Sequence, residues 1–110
     1  MRAFQEIIRA RRLRDRLFPA DLFADPAWDM LLALMVSRQE GKRISVSGLC
    51  MGAAVPQATA HRWLGIMVER GLVVRVPDDM DARLVWVALT DETAGAMAEW
   101  VAASGQTVAA

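Results

Sequence analysis

A small domain, mainly α-helical with one β-hairpin, is predicted by three observations. Apolar residues recur at helical spacing through most of the chain. From Leu72 the period switches to two, and Val- and Leu-rich runs over 72–76 and 84–89 flank a polar loop at 77–83. The stretch 45–90 therefore reads as helix, tight turn, second helix, hairpin. That order is the layout of a winged helix-turn-helix, an α+β fold most often used to grip duplex DNA.

Each element has a local cause. Residues 2–18 contain no Gly or Pro and read as a helix, with Phe4, Ile7, Ile8, Leu17 and Phe18 on one broad face. Arg2, Arg9 and Arg16 stack on another face, and Pro19 closes the helix. A connector over 20–24 carries Leu22 and Phe23, expected to plug the core. Asp25-Pro26 is a helix start, a carboxylate cap followed by proline in the first turn. Trp28, Leu31, Leu32 and Met35 continue at core spacing to Glu40, and Gly41 ends that helix.

Lys42 to Ile44 is a short extended piece. Ser45 then caps a short helix over 46–53, with Ile44 and Leu49 placed to form a hydrophobic staple. Pro56 opens the next helix, which runs to Arg70 before Gly71. On its wheel Ala60, Trp63, Leu64 and Met67 face inward, while Ala58, Arg62, Gly65 and Glu69 lie opposite. His61 falls on the flank and Gln57 on the exposed first turn. Thr90 caps a final helix over 91–103, and 104–110 reads as a flexible tail. The expected organisation is thus an N-terminal helix at 1–18, a winged helix-turn-helix domain at 25–103, and the tail.

Composition excludes several classes. A chain of 110 residues supports one domain, and a 55% hydrophobic content excludes an intrinsically disordered chain. No membrane span or secretory signal is read, so a cytoplasmic protein is the default. The single Cys50 makes no intramolecular disulfide, and no Cys/His cluster is spaced for a metal. A buried apolar role is expected for Cys50, because nothing charged stands beside it in sequence to lower its pKa. No cofactor is implied and no catalytic residue is assigned, since no nucleophile–base set or phosphate loop appears. Formal net charge is zero, yet arginines crowd the first sixteen residues while acids gather at 21–29 and 78–81. Local fields, not the total, decide binding.

The run Pro56-Gln57-Ala58-Thr59-Ala60-His61-Arg62-Trp63-Leu64, followed by Glu69-Arg70-Gly71-Leu72-Val73, resembles the recognition helix and first wing strand of MarR-type regulators. The resemblance continues through Asp81-Ala82-Arg83, where that family carries an Asp-x-Arg wing signature, and through Val87-Ala88-Leu89-Thr90. It covers roughly 28–97, with two departures: the family's long C-terminal helices are not present as a full set, and Gly52 stands earlier in the turn than the glycine that relatives place at Ala54. It implies a short variant of a homodimeric bacterial transcriptional regulator that binds double-stranded DNA.

Under that reading the recognition residues lie near the start of the second helix, which enters the major groove. Gln57 pairs with adenine, Arg62 with guanine or a phosphate, Ala58 or the Thr59 methyl touches a thymine methyl, and His61 donates to base or phosphate. The bland alternative for Arg62 is a solvated arginine paired with Glu69 or Glu40. Ser45 and Ser47 hold a phosphate at a helix start, or Ser45 only caps it. In the wing, Asp81 orients Arg83 toward the minor groove, or the two form an ion-paired turn. Phe4, Ile7, Ile8, Met97 and Trp100 are expected at a dimer interface, with the N-terminal arginines pairing with acids such as Asp29 or contacting phosphates. Two rival readings stay open: a winged helix that binds proteins, and a sensor whose small-molecule effector sits between the dimerisation helices and the winged motif.

Overall fold

The structure, a computed structural model, describes residues 2–104. Its elements follow in the order α1 (Ala3–Leu17), α2 (Pro26–Gln39), β1 (Ile44–Ser45), α3 (Val46–Gly52), α4 (Gln57–Glu69), β2 (Val73–Pro77), β3 (Val85–Leu89) and α5 (Asp91–Ser104). A short 3-10 turn, Ala20–Phe23, joins α1 to α2. The extended piece before α3 is a true strand: β1 pairs antiparallel with β3, Ile44 opposite Val87, and the sheet order is β1-β3-β2. Three strands with one face on helices make a stable unit, which an isolated hairpin does not.

Both glycine stops work through the same geometry. Gly41 and Gly71 have φ of 68° and 77°, a region closed to most side chains. At the end of α4, the Gly71 N–H donates to the Val68 carbonyl (3.1 Å) and the Leu72 N–H to that of Met67 (2.9 Å). At the end of α2, Gly41 and Lys42 donate likewise to Arg38 and Ser37. These are Schellman closures. They turn the chain sharply, so that β1 and β2 start where α2 and α4 end.

The core is arranged around α2. Met30, Leu32, Leu34, Met35 and Ser37 are all buried, and the helix touches α1, α3, α4 and β3. A helix wrapped on several sides is apolar on several sides, which is why Met30 and Leu34, off the expected stripe, are inside. Phe4, Leu49, Cys50, Ala60, Leu64, Met67, Val73, Val87 and Leu89 complete the cluster. Thr90 ties the end of β3 to the start of β2: its N–H donates to the Leu72 carbonyl at 3.2 Å, and its hydroxyl accepts from the Thr93 N–H. No helix of the described residues is long and apolar enough to cross a membrane.

Several local expectations need correction. Asp25 makes no side-chain cap; proline at the first helical position starts α2 without it. Pro56 lies one position outside α4, because its ψ of 148° is extended. Leu22 and Phe23 do not plug the core: they are exposed, as are Leu17 and Phe18. The reason is that α1 meets α2 through its N-terminal half, leaving its last turn and the connector outside. Ser104 ends α5, and the rest of the expected tail lies outside the described residues.

Candidate nucleic-acid interface

The face of α4 opposite the core is set by the helical period. Ala60, Leu64 and Met67 are buried, which leaves Gln57, Ala58, His61 and Arg62 exposed and Thr59 half-buried. Among the described residues Arg62 forms no ion pair with Glu69 or Glu40. Its guanidinium lies 5.8 Å from the Trp63 ring centroid, while Glu40 is engaged by Gln5 and Lys42. Three polar side chains and one methyl are therefore presented on adjacent positions of a straight helix.

The edge beside α4 is built by Ser45. Its hydroxyl caps α3 by accepting the Gly48 N–H at 3.0 Å and lies 3.4 Å from the Ser47 hydroxyl. A Cβ on Gly48 would sit 3.1 Å from that hydroxyl oxygen, so glycine leaves room for the cap.

In the wing the acids are engaged with the loop itself. Asp78 accepts from the Trp86 indole N–H at 2.9 Å, the Met80 N–H at 3.0 Å and the Asp81 N–H at 2.9 Å. The Trp86 hydrogen bond and the two backbone donors hold its carboxyl below the ordinary carboxylate range. Asp81 accepts both the Arg83 backbone N–H (3.0 Å) and its Nε (3.2 Å), with the same effect on its pKa. Arg83 is still 91% exposed along its side chain. It is aimed by Asp81 without being buried by it. Arg43 stacks over Trp86, 4.3 Å from the ring centroid, and adds a cation beside Asp78.

These pieces converge. A cleft of about 330 Å³ is lined by Ser45, Ser47, His61, Arg75, Arg83 and Val85. It joins α3, the flank of α4 and the root of the wing, and its lining contains two arginines and no carboxylate. Sequence reading placed Ser45, Ser47, His61 and Arg83 separately and missed Arg75. The signal was present: Arg75 lies two residues after buried Val73 on β2, so it shares the inward face of the strand. A charge on that face is out of place unless the strand has run past the core into a polar cleft.

Other expected residues are placed elsewhere. Phe4 and Met97 are buried within the chain's own core, so they have no free surface to give a second subunit. Ile7 and Ile8 are half-buried against the same core. Trp100 stays 41% exposed and packs edge-on against Trp28. Asp29 takes both Arg11 and Arg12, which ties α1 to α2 and removes those two arginines from any DNA contact. Cys50 is fully buried, and burial pushes its thiol pKa up, with Arg75 opposing more weakly.

The comparisons agree with this layout. The family model described as the MarR family matches residues 24–84. Among solved structures, a cysteine-to-serine mutant of MarR from E. coli in complex with operator DNA superposes with a TM-score of 0.56 at 27% identity, covering 67% of this chain and 53% of that one. BpsR from Bordetella bronchiseptica, whose DNA binding is regulated by 6-hydroxynicotinic acid, matches at 25% identity with a TM-score of 0.58, covering 96% of this chain and 70% of that one. A MarR family regulator from Silicibacter pomeroyi shares the fold, with a TM-score of 0.61 at 23% identity over 86% of this chain and 60% of its own. The chain spans about half the length of the E. coli MarR structure, and no curated protein matches it. With a family match over more than half of its 110 residues, across the same paired helices and wing, the chain belongs to the MarR family.

Proposed function

We propose that this protein binds double-stranded DNA sequence-specifically as a bacterial transcriptional regulator. In this reading α4 enters the major groove, and Gln57, Ala58, Thr59, His61 and Arg62 read base edges. Pro56 sets the helix entry, and Ser45, Ser47, Arg75 and Arg83 hold the backbone alongside, Arg83 at the minor-groove edge with Asp81 orienting it. The carrying observation is the exposed row Gln57, Ala58, His61 and Arg62 standing beside a cleft whose charged groups are Arg75 and Arg83. The operator complex of E. coli MarR supports the same reading. The acidic wing no longer favours a protein-binding role, because Asp78 and Asp81 are occupied by Trp86, backbone N–H groups and Arg83.

The test is titration of fluorescent duplex fragments at several salt concentrations with wild type and Arg62→Ala. Loss of a base-contacting arginine is expected to weaken the best site by about 1–3 kcal/mol and to relax its sequence preference. Arg62→Ala that binds every fragment as the wild type does would remove α4 from the reading; no binding to any fragment at low salt would remove DNA.

A homodimer fits this reading, since a two-fold pair of recognition helices matches a palindromic site. The surface that supports it has moved from the expected set to Leu13, Leu17, Phe18, Leu22 and Phe23, all exposed, with Phe18 and Phe23 in edge-to-face contact at 6.1 Å. Such an apolar group on a small domain marks an interface. Leu17→Glu is expected to shift sedimentation from dimer to monomer without loss of helix content; an unchanged sedimentation profile would place the interface elsewhere.

A further inference from the structure

A second concave site lies away from the basic cleft, on the opposite end of α4. The start of α5, the first turns of α2 and the Gly71–Leu72 turn enclose a groove of about 410 Å³. Its walls include Trp28, Leu31, Leu72, Met97 and Trp100, with Glu92 at the rim. The two indoles meet edge-on, centroids 4.9 Å apart and planes at 69°. One ring therefore offers its face at a corner formed with the other. The volume falls in the range of small-molecule sites, about 300–1,000 Å³.

The lining chemistry selects a ligand class. Aromatic faces carry negative potential and attract cations. The only charged lining residue is Glu92, which is exposed and forms no ion pair among the described residues. No lysine, arginine or histidine lines the groove. An anionic aromatic compound would meet a carboxylate with no cation to answer it; a neutral one would leave Glu92 unused.

We propose that the Trp28–Trp100 groove is a binding site for a small, flat aromatic cation, stacked on the indoles with Glu92 as counter-charge. The site borders the Gly71–Leu72 turn that closes α4, so an occupant presses on the end of the helix whose start carries Gln57 and Arg62. Binding itself does not depend on the DNA reading and is measured without DNA.

The experiment uses proflavine, a planar acridinium cation, and anthracene-9-carboxylate, an anion of similar shape, followed by ligand fluorescence anisotropy against the full chain. Saturable binding of proflavine, with the anion binding far more weakly, is expected. Trp100→Ala should weaken proflavine by about tenfold or more, and Trp100→Phe should restore part of the loss. Glu92→Gln should weaken it by about threefold and flatten its salt dependence. Both positions are exposed, and circular dichroism of each variant confirms its fold. Equal binding of the two dyes, or proflavine binding unchanged in Trp100→Ala, overturns the proposal. So does absence of binding together with a dimer that Trp100→Ala dissociates, which would assign the groove to a second copy of the chain.

Discussion

Asp29→Ala is expected to lower the stability of the fold by about 3 kcal/mol, the low end for breaking a buried ion pair by removing one partner. The Asp29 side chain is only 9% exposed and receives two guanidinium groups, Arg11 Nε on one oxygen and Arg12 Nη2 on the other at 2.9 Å. Arg11 is itself 14% exposed, so without the carboxylate it keeps a charge that neither water nor protein can satisfy. Arg12 is 39% exposed and retains Asp15 at 3.0 Å, which is why the low end applies. Asp29 also stands in the first turn of α2, where a negative charge meets the positive end of the helix dipole. Denaturant melts at fixed protein concentration read the loss directly. In a domain of this size about 3 kcal/mol corresponds to a fall in Tm of well over 10 °C. Replacing both groups, Asp29→Leu with Arg11→Met, should recover most of it, because the penalty comes from the orphaned charge. A loss below about 1 kcal/mol for Asp29→Ala would show that the pair behaves as an exposed one.

That pair also shows where sequence reading stops. The ends of the helices were legible because their causes are local: Gly41 and Gly71 at positive φ, Ser45 accepting from the residue three ahead, Thr90 doing the same for α5. The inward arc of α4 was legible from its period, with Ala60, Leu64 and Met67 all inside. Asp29 was named only as one acid the arginines might meet, since nothing in the spacing says which side of α1 faces α2. The same ignorance of α1's docking sent Leu22 and Phe23 inward and Phe4 and Met97 outward, each the reverse of what is found. The wing went wrong for a different reason. Three aspartates in four positions look like a repulsive surface, and their meaning changes only when Trp86, across the hairpin, is seen to donate to Asp78.

The electrostatic half of the DNA reading gives the other large effect. Arg75→Ala with Arg83→Ala is expected to weaken DNA binding by roughly 60-fold at about 0.1 M salt. Each phosphate neutralised by a side chain contributes about 0.9 to the slope of log affinity against log salt, so two lost contacts flatten it by about 1.8. The loss should be equal on the best site and on random duplex, unlike that of Arg62→Ala, because phosphate contacts carry no sequence information. An unchanged slope would take the cleft of Ser45, His61, Arg75 and Arg83 out of the interface. Asp81 then decides how the wing works. If its carboxylate merely repels the backbone, Asp81→Ala adds net positive charge and tightens binding. If it aims the guanidinium it holds through Nε at 3.2 Å, the same substitution frees a side chain that is 91% exposed and must then be ordered on binding, at an entropic cost of about 0.5–1.5 kcal/mol. Weaker binding by Asp81→Ala, despite the more favourable charge, is the expected result, and the effect should persist at high salt where long-range repulsion is screened.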